Sequence, residues 1–83
     1  MAAINIPLTD GERHVMYNMA IGVVAEQTGS DIATATEALV EFAAKGELIL
    51  RGDAENAYLE ASGREIVHAE RDWLVLHSRL CRP

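Results

Sequence analysis

A single cysteine, Cys81, occurs among the 83 residues. That excludes a disulfide framework and a cysteine-based zinc site, and it fits a reducing compartment. Aromatic residues are also scarce: one Trp, two Tyr and one Phe. The apolar 49% is therefore mostly Ala, Val, Ile and Leu, so the expected core is aliphatic and helix-leaning. Cations are few, with 7 Lys plus Arg against 13 Asp plus Glu and a net charge of −6. Such a balance argues against unaided binding to a polyanion. The deficit is uneven, with 7 acids against 2 bases over residues 9–50 and 6 against 5 over residues 51–83. No apolar run approaches the roughly 18 residues of a membrane helix. The opening MAAINIPLTD has neither the basic region nor the long apolar stretch of a signal peptide. A cytoplasmic protein is expected, with one domain over residues 1–83. A chain this short buries little more than roughly 60% of its unfolded surface, so its stability is marginal and a partner subunit would help.

Ile4, Ile6 and Leu8 alternate with Asn5 and Pro7, a short strand that Pro7 confines to a sheet edge. Thr9-Asp10-Gly11-Glu12 then has capping-box spacing and starts a helix. Val15, Met16, Met19, Ala20, Val23 and Val24 recur at steps of three and four. This stripe predicts one helix from about 10 to 28 or two shorter ones broken near Gly22, and Gly29 is its stop. Ser30 or Asp31 caps a second helix carrying Ala35, Ala38, Leu39, Phe42 and Ala43 on one face and ending at Lys45-Gly46. The segments ELIL (47–50) and AYLEA (57–61) flank RGDAEN and predict a β-hairpin with a loose tip, although Asp53 to Leu59 can also be written as a helical turn. From Ser62-Gly63 a last helix is expected to about Leu80. Leu39 and Phe42 are expected to be buried against Val23, Val24 and Leu48.

This order of helix, helix, hairpin and helix resembles the winged helix-turn-helix superfamily over about residues 15–70. Ala25 with Gly29 is similar to the family's helix–turn signature, and TATEAL (34–39) to the start of its recognition helix. Phe42-Ala-Ala-Lys-Gly46 resembles the helix end before the first wing strand, and YLEASGREIV (58–67) the second wing strand. The expected fold class is accordingly α+β: a small winged-helix-like domain of helices, a two-stranded β-hairpin wing and a C-terminal helix. The resemblance implies groove-facing positions at Thr34, Thr36, Glu37, Val40 and Glu41. Two acids and no cation stand there, whereas specific DNA binding rests on several cationic phosphate contacts.

No catalytic, metal or cofactor site is expected. His14, His68 and His77 lie far apart, with no pair at helical metal-site spacing. Gly46, Gly52 and Gly63 punctuate elements and form no phosphate loop. In residues 64–80, Ile66, Ala69, Trp73, Leu76 and Leu80 form one seam, with Val67, Leu74 and Cys81 beside it. Two adjacent seams allow either a broad core-facing stripe or a homodimer through Trp73, Leu74 and Cys81.

The expected function is a non-catalytic acidic regulatory module that binds a protein partner with a basic surface through Asp31, Glu37 and Glu41. One form is an inhibitor imitating nucleic-acid charge, as small phage-encoded inhibitors do, acting on a nucleic-acid-binding protein. The alternative is a dimeric winged-helix DNA-binding transcriptional regulator whose contacts come from Thr34, Thr36, Arg51 and the C-terminal arginines. A third option is an accessory domain that oligomerises.

Overall fold

The two helix starts follow from hydrogen-bond bookkeeping at their first turns. In the computed structural model, which describes residues 5–80, α1 runs Asp10–Thr28 as one uninterrupted helix. Its capping box is complete: Thr9 Oγ1 accepts from the Glu12 N–H at 3.2 Å, and Glu12 Oε1 accepts from the Thr9 N–H at 2.8 Å. The second helix, α2, runs Ile32–Ala44, and the Asp31 carboxylate caps it by accepting the Thr34 N–H at 2.8 Å. The expected strand at Ile4–Leu8 is not regular structure over residues 5–8, where a backbone bond joins the Ile6 N–H to the Gly52 C=O; Ile4 lies outside the described residues.

Three strands follow: β1 (Leu48–Gly52), β2 (Asn56–Ala61) and β3 (Arg64–Glu70), an antiparallel sheet in the order β1-β2-β3. The fold is α+β as expected, but the two-stranded wing is replaced by this three-stranded sheet. The last helix, α3, is only Arg71–Leu80. Residues 64–70, expected as helix, are strand because Ser62 and Gly63 form a two-residue connection with φ of 53° and 80°. Positive φ at both central residues is the turn that reverses a twisted strand pair. Ile66 then interrupts the ladder, since Glu60 pairs with Glu65 while Leu59 pairs with Val67. One extra residue in β3 makes a bulge and breaks the strict alternation by which a strand is recognised.

The helices cover one face of the sheet. Val15, Met16 and Ala20 of α1, Leu39 of α2, Ala57 and Leu59 of β2, Val67 and Ala69 of β3 and Leu74 of α3 form the core. Phe42, Val23, Val24 and Leu48 pack against it half-buried. The α3 seam is inverted relative to expectation. Leu74 is fully buried, whereas Leu76 and Leu80 are 55% and 71% exposed. Leu74 is therefore core and cannot lie on a dimer interface; Cys81 lies outside the described residues.

One polar contact is buried with the core. Glu12, almost inaccessible, faces Arg71, whose Nε stands 3.3 Å from Oε2 and whose Nη2 donates to Oε1 at 3.3 Å. Oε2 has no aligned hydrogen-bond donor. Arg71 Nη1 also donates to the carbonyls of Ile6 (3.1 Å) and Asp53 (3.3 Å). Gly52 leaves room for this guanidinium, because a Cβ there would stand 2.8 Å from Arg71 Nη1 and 3.2 Å from the Asn56 carbonyl.

Two stability outcomes are expected. Leu39→Ala should lower the unfolding free energy by about 2–5 kcal/mol in urea denaturation; an unchanged midpoint would remove Leu39 from the core. Glu12→Gln or Arg71→Met alone should cost about 3–5 kcal/mol, and the double variant less than the two together, since breaking a buried pair strands a charge. Small, strictly additive effects would show that the pair carries no coupling.

Candidate functional site

Every acid expected at the partner surface lies on or beside the outward side of α2. Glu37 and Glu41 are exposed, and α2 contains no Lys or Arg. Asp31 is exposed too, but its carboxylate is engaged as the helix cap. The Thr34 side chain and then the Thr34 N–H hold its carboxyl below the usual range. Between these acids Val40 is 62% exposed.

Val40 and Thr36 are shared by two adjoining depressions. One is a shallow hollow over the acidic side of α2, lined by Thr34, Thr36, Glu37, Ala38, Val40 and Glu41. The other is an apolar groove of about 290 Å³ between the helices and the sheet, lined by Tyr17 and Ile21 of α1, Leu39 and Ala43 of α2, Leu48 of β1, and the shared pair. Apolar walls beside unneutralised carboxylates suit a ligand that is apolar along part of its length and cationic at one point. This groove is not among the expected sites. Its signal was present, since Tyr17 and Ile21 are one helical turn apart and off the main α1 stripe.

The residues that would read DNA do not come together. The Thr36 hydroxyl donates to the Ile32 carbonyl at 2.8 Å and is spent within α2. Arg51 alternates with core-facing Leu50 and Gly52, so it projects from the sheet face opposite the helices. There it pairs with Glu60 at 2.9 Å and lies over the Tyr58 ring at 5.6 Å from the centroid. Thr34 and Arg51 therefore belong to different sides of the molecule.

The three histidines and Asp53 are engaged locally. His14 contacts Asn18 at 3.1 Å, His68 contacts Asn56 at 2.9 Å and stacks on Tyr58, and His77 contacts the Trp73 carbonyl at 3.0 Å and stacks on that indole. The Asp53 carboxylate accepts the N–H groups of Asn56 and Glu55, each at 2.8 Å, which hold it below the usual range. The Arg-Gly-Asp run is thus a strand end and a turn. Among the described residues, no three His, Cys, Asp or Glu stand together as a metal site requires, and no helix is long and apolar enough to cross a membrane.

No protein-family model matches the chain, and no curated protein does. Among solved structures, the crystal structure of a bacterial toxin from Mycobacterium tuberculosis is similar, with 57% sequence identity and a TM-score of 0.85. The alignment covers 87% of this chain and 97% of that one. This finding overturns the expected assignment as a regulatory module, a phage-type inhibitor or a DNA-binding regulator, and the winged-helix label finds no support in it. By sequence and by fold together, the chain belongs to the family of this Mycobacterium tuberculosis toxin structure.

Proposed function

We propose that this chain is itself a bacterial toxin that acts in the cytoplasm by occupying a macromolecular surface. The observation that carries this reading is the 57% identity to the Mycobacterium tuberculosis toxin over 87% of the chain. That identity, over most of both chains, is well above what a shared architecture alone requires.

Action by binding is supported by the state of the polar groups. A carboxylate acting as general base near neutral pH needs a raised pKa. Asp31 and Asp53 are shifted the other way by the hydrogen bonds they accept. Glu12 is tied to Arg71. What the surface does present is apolar side chains at Val40, Ile49 and Leu76 and the acids of α2. Self-association, where it occurs, belongs on the outward side of α3, where Trp73 is half-exposed next to Leu76 and Leu80.

Inducible expression in a bacterial host tests the proposal. Induction should stop growth and reduce colony counts, whereas Leu39→Ala, lacking a stable fold, should be harmless. Growth unaffected by soluble, folded protein would overturn the toxin reading. Loss of toxicity from one buried polar substitution that leaves fold and surface intact would replace binding with catalysis.

A further inference from the structure

The apolar groove opens beside a sheet edge, and the pairing pattern shows which backbone groups face outward there. The Ser62 N–H bonds the Glu47 carbonyl and the Asp53 N–H bonds the Asn56 carbonyl, at the two ends of the β1–β2 pair. In an antiparallel pair, hydrogen-bonded and non-bonded positions alternate. Glu47, Ile49, Arg51 and Asp53 therefore bond toward β2, and Leu48, Leu50 and Gly52 present their N–H and C=O groups outward. Gly52 confirms the phase, because its carbonyl accepts from the Ile6 N–H at 2.7 Å. Leu48 and Leu50 retain four outward groups with no protein partner among the described residues. The side chain of Leu48 lines the apolar groove itself.

We propose that β1 receives an extended segment of a partner protein as a fourth strand, apolar where it faces the groove and carrying a Lys or Arg that reaches Glu37 or Glu41. The ladder groups of Leu48 and Leu50, unpaired among the described residues, dictate the extended backbone, because such groups are satisfied by another strand. The period of two dictates the side-chain pattern. Alternate residues of the added strand fall on the helix side, against Tyr17, Ile21 and Leu48, while those between them fall beside Ile49, 48% exposed on the other face. Charge complementarity dictates the cation. Thr36 and Val40 belong both to the groove and to the hollow that holds Glu37 and Glu41, and α2 has no cation of its own. A long basic side chain lies its apolar stem across Val40 and places its head among the carboxylates. This inference goes beyond the toxin proposal and does not require it, since peptide capture and growth arrest are read separately.

The test uses the full chain and a labelled nine-residue peptide alternating Val with Thr and ending in two Lys. Anisotropy should show saturable binding, weakened about tenfold by Glu37→Lys with Glu41→Lys at low salt and less so at high salt. A peptide with its β1-facing amides N-methylated should not bind. Amide hydrogen exchange supplies the independent readout: Leu48 and Leu50 should exchange fast in the free monomer and become protected on peptide addition. No binding at millimolar peptide, or binding that leaves these amides unprotected, would overturn the proposal. Protection already present in the free protein would also overturn it. In that case sedimentation distinguishes a second copy from residues 1–4 of the same chain as the occupant.

Discussion

The carboxylate of Glu12 and the guanidinium of Arg71 come from positions 59 residues apart and meet where almost no water reaches the carboxylate and little reaches the guanidinium. Charges taken out of water are tolerated only when their lone pairs and protons are used, and here the geometry that uses them organises one end of the molecule. Glu12 closes the capping box of α1 with the same oxygen that accepts from Arg71. Arg71 is the first residue of α3, its N–H bonds the Glu55 carbonyl, and its guanidinium reaches Ile6 and Asp53. The segment entering α1, the β1–β2 turn and the last helix therefore share one ion pair. Gly52 is small because that guanidinium lies against it.

Features written within a few residues are legible in the sequence. The Thr9–Glu12 box, the Asp31 cap and the stops at Gly29 and Gly46 need only short-range hydrogen bonds and left-handed backbone, and each is in place. Gly22 does not break α1, because a single exposed glycine costs a long, capped helix too little to divide it. Residues 64–70 read differently in isolation. Ile66, Ala69 and Trp73 fall at helical steps, and the bulge at Ile66 removes the strict alternation that would have marked a strand. The bulge is set by pairing with β2, a non-local fact. Once α3 begins at Arg71, its phase follows from which side meets α1, and Leu74 rather than Trp73 or Leu76 becomes the buried residue.

The candidate site divides along the same line. Exposed acids on α2 are visible in the sequence, since a helix with an apolar stripe at Ala35 and Leu39 must turn Glu37 and Glu41 away from it. The groove beside them requires three elements to converge, and no local pattern brings Tyr17, Val40 and Leu48 together. Family membership is different again. It rests on likeness to another protein, which composition and periodicity do not encode, and it moves the functional question from regulation to toxicity.

The bulge at Ile66 also makes the two borders of the sheet unequal. A bulged strand twists away from flat pairing, and β3 further carries Arg64, Glu65 and Glu70 as exposed charges, so its outer border resists additional strands. Among the described residues, the β1 border has neither device over Leu48–Leu50. Of the two borders, β1 is therefore the one better suited to pairing with a further strand. On the proposal above, a strand added at β1 faces a bulged, charged border at β3, so pairing through β1 would end at a closed assembly and not propagate into a fibre.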